Sequence, residues 1–245
     1  GVLLLRESCD AAGVRLRNDW EAVRTVMVCQ GRIREAFERV KVLRAVEERL
    51  ALDSIDPLEA YDEVQRVMPD AVRISGVDAK GRVVCFVSLS KFFPGKISGD
   101  QEPFMIRYLL TMMEITACSL QEFENGVAWY ADASDIGLRN VSFRSLRQYG
   151  WTLRRGPAFK TKRVALLKCG ALFKPTANAL KLFLSAKMQQ RIVVSSNDAN
   201  LRRNVDGSSI PVNASVRGLA TRKDLRALFS QRLEAFREHE ACFRI

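Results

Sequence analysis

Residues 163–194 read RVALLKCGALFKPTANALKLFLSAKMQQRIVV, and the succession of textures in this stretch decides the fold. Arg163 to Lys168 is a short apolar run of strand length. From Lys174 the apolar residues recur at helical spacing, and RIVVSS from Arg191 is strand-like again. A strand, a helix and a strand in direct succession are the parts of a parallel crossover, the repeating unit of an α/β sheet.

The helix of this unit is unusual in its girth. At ~100° per residue, Lys174, Asn178, Lys181 and Ser185 share one narrow stripe. Phe173, Ala177, Leu180 and Leu184 form a second stripe and Leu172, Ala179 and Phe183 a third, so the apolar arc exceeds half the circumference. Pro175 suits a helix start, because its missing N–H falls where an amide would be unpaired anyway. Two readings fit: a core helix packed on the sheet, or a movable wall over an apolar ligand. Periodicity does not separate them.

The same alternation extends upstream. VRISGV, the turn from Asp78 to Gly81 and RVVCFVSL form a hairpin by turn chemistry and apolar content. A Met-rich helix is expected from Glu102 to Phe123, then a strand at GVAWYAD and a helix near Val141 to Leu153. Before the hairpin the pattern is helical throughout. Asn18 or Asp19 caps a helix from Trp20, and Ile33, Ala36, Phe37, Val40, Leu43 and Leu50 mark the buried side of another. A short helix from Leu58 to Val67 follows the break at Asp53 to Pro57. A last helix, Arg222 to Glu238, carries Leu225, Leu228, Phe229, Leu233 and Phe236 on one side. The expected fold class is therefore α/β: a mostly parallel sheet with flanking helices, preceded by an all-helical N-terminal module.

With 245 residues, the chain can bury roughly 70–75% of its unfolded surface in one substantial core. Its 47% hydrophobic and 27% charged residues are those of a soluble globular protein, and no apolar run approaches the length of a membrane span. Val2 to Leu5 is followed at once by Arg6 and Glu7, without a basic region before it or a small-residue cleavage site, so no secretory signal is expected. Six cysteines lie far apart with no CxxC, as expected of reduced intracellular thiols. His239 is the single histidine, which excludes a His-rich metal site, and its place near the C-terminus in a charged helix argues against a Ser-His-Asp or Cys-His arrangement.

The net charge of +11 is unevenly placed. From Ile136 to Asn197 there are 13 Lys and Arg and no Asp or Glu, so the rest of the chain carries a net −2. A local basic surface implies an anionic partner, either a phosphate-bearing membrane or nucleic acid. Catalysis has little support. No strand leads into GxGxxG or a P-loop, Asp132 and Asp135 are not spaced as an aspartate phosphoryl-transfer loop, and Cys169 lacks the downstream arginine of a phosphatase loop. No enzyme activity, cofactor or metal is expected.

Several motifs in order are similar to those of the CRAL-TRIO lipid-binding family, from about Val64 to Gly218. Gly81-Arg82-Val83-Val84 resembles the family's Gly-Arg-Pro-Val strand start, and VAWYADASDIGL, from Val127, its apolar strand ending in Asp and a Gly-containing turn. RVALLKCGALF resembles its strand, Asn-x-Pro turn and Leu-Phe, with Lys168 and Gly170 in place of Asn and Pro. KPTANALKLFLSAKMQQRI keeps the family's spacing to its Lys/Arg-Ile strand, and Ile210-Pro211 with Gly218 is a loose form of its Leu-Pro…Gly-Gly ending. Upstream, VMVCQGRIREAFERVKVLRA resembles the helical module that precedes the lipid domain.

The resemblance implies three segments: a helical module over 1–63, a lipid-binding domain over 64–218 and a C-terminal amphipathic helix over 219–245. It also implies that Leu172–Leu184 is a gate over an apolar cavity. Cavity candidates are Tyr130, Phe143, Leu153, Phe159, Val164, Phe173, Ala177, Leu180 and Leu184. In the phosphatidylinositol-transferring branch an acid and a lysine stand where Phe159 and Arg191 stand here. In the tocopherol-transfer and retinaldehyde-binding branch, basic residues for phosphoinositide head groups fall on Lys160, Lys162, Lys187 and Arg191, all basic in this chain. The expected function is binding and transfer of a small lipophile (tocopherol, retinoid, sterol, terpenoid or phospholipid) by a cytoplasmic, transiently membrane-associated monomer. The competing class is a basic nucleic-acid-binding protein, against which the basic segment lacks an aromatic stacking stripe.

Overall fold

The computed structural model of the protein describes residues 1–78, 80–93, 97, 99–134, 136, 157–170, 186–195 and 222–243. The N-terminal part is helical: α1 (Val2–Ala11), α2 (Asp19–Val28), α3 (Ile33–Arg49) and α4 (Pro57–Val67). Local chemistry sets their starts. The Asn18 side chain accepts from the amide of Glu21 at 2.8 Å, and Asp56 accepts from the amide of Leu58 at 2.8 Å with Pro57 in the first turn. A small core of Leu5, Cys9, Ala22, Cys29, Ala36 and Val40 holds α1, α2 and α3 together.

The sheet follows, from β1 (Val72–Val77), β2 (Val83–Ser88), β3 (Val127–Asp132), β4 (Thr161–Leu167) and β5 (Ile192–Val194), in the order β1-β2-β3-β4-β5. β1 and β2 form an antiparallel hairpin, and β2, β3, β4 and β5 run parallel. Between β2 and β3 lie α5 (Glu102–Glu114) and α6 (Leu120–Asn125); α7 (Ala186–Arg191) leads directly into β5, and α8 (Arg222–Ala241) follows.

The single Met-rich helix expected over Glu102 to Phe123 is two helices. The Thr116 hydroxyl donates back to the Met113 carbonyl at 2.6 Å, and Ser119 starts α6 by accepting from the amide of Glu122 at 3.1 Å. A polar cluster within an apolar pattern thus ends one helix and caps the next. The expected helices near Val141 to Leu153 and over Leu172–Leu184 lie outside the described residues.

One core spans the expected segment boundaries. Trp20 from α2, Tyr61 from α4, Tyr108 from α5, Phe123 from α6 and Phe229, Leu233 and Phe236 from α8 pack together on one face of the sheet. Tyr108 donates its buried hydroxyl to the Val72 carbonyl at 2.6 Å, which ties α5 to the edge strand. Arg232 of α8 donates to Ile115 O at 2.8 Å and to Glu122 at 2.8 Å, closing α8 onto α6. The C-terminal helix is therefore part of the same core as the helical module and the sheet.

A buried ion network adds to this contact. Arg17 reaches Glu114 of α5 at 2.7 Å and also pairs with Glu47, while Arg44 pairs with Glu47 and Glu21. Asn18 donates to Glu240 of α8 at 2.8 Å. Burial works against the charged form of Arg17, yet Glu114 and Glu47 more than compensate and push its pKa up. All six cysteines are free, and burial raises Cys85 to about 12 and Cys118 to about 11. No described helix is long and apolar enough to cross a membrane.

Candidate functional site

The strand registers sort the sheet residues into two faces. Val83, Cys85, Val127 and Trp129 point to the core shared by the helices. Val84, Phe86, Ala128, Tyr130, Ala165 and Leu167 form a separate buried cluster on the opposite face. Both faces are apolar, as expected of a parallel sheet covered on two sides.

Tyr130 belongs to the second face, where it is paired in register with Phe86 and Ala165. Val164 is paired with Trp129, one residue out of step, and so points to the helical side. Phe159 meets Trp129 edge-on, with centroids 6.4 Å apart, and packs against the helical core. Tyr130 on one side and Val164 and Phe159 on the other therefore do not line one cavity. Phe143, Leu153, Phe173, Ala177, Leu180 and Leu184 lie outside the described residues.

The second face is bordered by charge. Towards the strand starts, Arg82 pairs with Asp78 at 2.7 Å. Burial raises the Tyr130 pKa, and the nearby Arg82 and Arg163 partly oppose that rise. Towards the strand ends, Asp132 accepts from the Ser134 hydroxyl at 2.6 Å, from the Ser134 amide at 2.9 Å and from Lys168 at 3.2 Å. Burial disfavours its ionisation, but these donors outweigh burial and hold the carboxyl below its usual range. Asp132 is thus a tied structural anion rather than a poised acid. Lys168, at the family's Asn position, takes a left-handed backbone with φ 52°, and Cys169 N donates to Ser195 O at 2.9 Å.

The basic positions converge at the other end of the strands. Lys160 and Lys162 flank Thr161, the first residue of β4, and Arg191 donates from Nη1 to the Thr161 carbonyl at 2.5 Å. Lys160 Nζ sits 4.5 Å from the centre of the Phe123 ring, and burial, then the neighbouring Lys162, lowers its pKa. Lys162 is exposed. Lys187 lies in α7, one helical turn before Arg191, and its side chain is outside the described residues. Three of the four cations are therefore grouped around one residue at the sheet's strand-start edge. Sequence reasoning missed the ring under Lys160, because Phe123 sits 37 positions upstream and its contact depends on the tertiary fold. It also missed Arg73, whose place on the second face could have been found from the two-residue period of the first strand.

The structure is thus a mostly parallel sheet with helices packed on one face, a second apolar face and a basic strand-start edge. The CRAL/TRIO domain profile matches residues 69–214, and the chain belongs to this family of lipid-binding and lipid-transfer proteins. Among solved structures, the fold is similar to that of the protein described as "Crystal structure of Sfh5". The TM-score is 0.57 at 13% sequence identity, over 82% of this chain and 80% of that one. Sequence similarity alone finds no curated protein that matches the chain.

Proposed function

We propose that the protein binds one small lipophile on the Phe86–Tyr130 face of its sheet and exchanges it at phosphoinositide-containing membranes, without a catalytic step. The observation that carries this reading is the presence of two separate buried apolar faces on one sheet. Helices α2 to α6 and α8 pack on the first face, and the second, buried apart from them, is the face on which the cargo would lie. Removing a lipophile from water there gains about 25 cal/mol per Å² of apolar surface, which needs no reaction to sustain it. Leu172–Leu184 would act as the gate, with Phe173, Ala177, Leu180 and Leu184 towards the ligand. Lys160, Lys162, Lys187 and Arg191 would meet head-group phosphates in a cytoplasmic, transiently membrane-bound monomer. The four basic positions are those that the tocopherol-transfer and retinaldehyde-binding branch would use for head-group phosphates, which supports placing the chain beside that branch.

Native mass spectrometry of the purified chain, with organic extraction of the same sample, tests the reading. A stoichiometric lipophile is the expected result. Co-purifying nucleic acid with no lipid, and no uptake of added lipophiles, would favour the nucleic-acid reading instead.

A further inference from the structure

Arg73 is the one basic residue set into the row that crosses the proposed ligand face. It is paired in register with Phe86, which is paired with Tyr130, which is paired with Ala165. Arg73 is 7% exposed, and its guanidinium lies 4.6 Å from the centre of the Phe86 ring. Its Nε is buried without a hydrogen-bond partner. An arginine taken out of water ordinarily finds a carboxylate, a phosphate or several carbonyl oxygens, because the uncompensated charge is costly.

Among the described residues, none supplies that partner. Asp70 is the carboxylate whose field reaches Arg73, but no ion pair joins the two among the described residues, and Asp70 faces Lys91 at 3.7 Å. Arg82, by contrast, has Asp78 at 2.7 Å. Arg163 stands on the same face near Tyr130 and adds to its positive potential. A ring face attracts a cation but leaves the in-plane N–H donors unused.

Resting on the lipid-binding reading above, we propose that Arg73 anchors an acidic head group, a carboxylate or a phosphate monoester, so that the cargo is an anionic lipid lying with its chain along Phe86 and Tyr130. The planar fork of a guanidinium suits either anion, and Phe86 beneath it keeps the fork facing one way. The hydrocarbon chain then lies on the apolar part of the same row. A neutral lipophile would leave Arg73 buried and unpaired, so discrimination comes as much from the penalty against neutral lipids as from attraction to acidic ones.

The test compares ligands matched in chain and differing in charge. Delipidated full-length protein is titrated with oleate against oleyl alcohol, and with dioleoyl phosphatidate against dioleoylglycerol, all below their aggregation concentrations. The wild type should prefer one anionic member over its neutral counterpart by tenfold or more, the range of a charged hydrogen bond, and the member preferred identifies carboxylate or phosphate. Arg73→Met should abolish the preference by weakening binding of the anionic member and strengthening that of oleyl alcohol or dioleoylglycerol, and Arg73→Lys should keep most of it. Equal affinity for charged and neutral members in the wild type would overturn the assignment of Arg73 while leaving lipid binding intact, and so would a preference that survives Arg73→Met. Failure of all four ligands to bind would overturn the lipid-binding reading itself and this inference with it. Should Arg73→Met not fold, the wild-type preference and the Arg73→Lys variant decide alone.

Discussion

Gly126 lies so close to Lys160 that a Cβ placed on it would come within 2.3 Å of the Lys160 carbonyl oxygen and 2.7 Å of Lys162 Cγ. Its φ of 74° is also one that side-chain-bearing residues rarely adopt. Gly126 ends α6 and delivers the chain into β3 exactly where β4 begins alongside, so α6, β3 and the two lysines share one tight junction. Gly126→Ala should therefore cost about 2–4 kcal/mol by combining backbone strain with a backbone clash. Urea unfolding is the check, and a loss below 0.5 kcal/mol, on the order of an ordinary surface substitution, would mean that the junction relaxes freely.

Arg17 joins the helical module to the lipid domain through Glu47 and Glu114. Replacing it by Met would keep much of the packing but leave the buried Glu114 without its ion-pair partner and Glu47 with Arg44 alone, a change that costs about 3–5 kcal/mol. Adding Glu47→Gln and Glu114→Gln to Arg17→Met should restore part of that loss. A triple variant no more stable than Arg17→Met would show that packing of the arginine stem, rather than charge pairing, holds the junction.

Asp132 predicts a pH dependence. Its folded pKa is depressed, so its ionised form stabilises the fold at pH values above the unfolded pKa of about 3.9, and that contribution fades as pH falls through the lower folded value. Asp132→Asn should be less stable than wild type at neutral pH, with the gap closing in strong acid. The gap should not widen between pH 5 and 8. Thermal unfolding of both proteins across pH measures it, and a constant gap down to the most acidic point would rule out ionisation as the source.

Much of the fold was legible because it is written in local signals. Asn18 announces its helix start, while Asp56 and Pro57, legible only as part of a break, prove to cap and open α4; the helical spacing of Leu225, Phe229, Leu233 and Phe236 marks the buried side of α8. The side of the sheet on which a residue lands was not legible. Both faces of a parallel strand are apolar, so Ala165 and Val164 look alike in the sequence, and only pairing with Tyr130 or Trp129 separates them. Long-range charge partners were equally hidden: nothing near Arg17 in sequence points to Glu114, 97 positions away. The basic edge was legible as a charge bias, while its grouping around Thr161 required the strand order.

The grouping at Thr161 carries the last prediction. Lys160, Lys162 and Arg191 are not equivalent there: Lys160 is partly withdrawn over Phe123, Arg191 spends a donor on the Thr161 carbonyl, and Lys162 is exposed. A basic side chain at an anionic membrane contributes about 1 kcal/mol, so replacing Lys160, Lys162, Lys187 and Arg191 together by Ala should weaken vesicle binding by up to ~4 kcal/mol, roughly a thousandfold. Lys162→Ala should be the most damaging single change among Lys160, Lys162 and Arg191, and Lys160→Ala the mildest, because the Lys160 ammonium is drawn back over the Phe123 ring. Arg191→Ala should also lower stability slightly through the lost bond to Thr161. Co-sedimentation with phosphatidylcholine vesicles, with and without phosphatidylinositol bisphosphate, gives the measurement when made at low and high salt. The wild-type advantage should shrink as salt rises, since these are exposed charges. Ligand affinity in detergent-free solution should stay unchanged in the quadruple variant, because the basic edge lies at the strand starts and not on the Phe86–Tyr130 row. Undiminished binding of that variant to phosphoinositide vesicles at low salt would remove the basic edge from membrane recognition. Lost ligand affinity would instead place these side chains at the cargo.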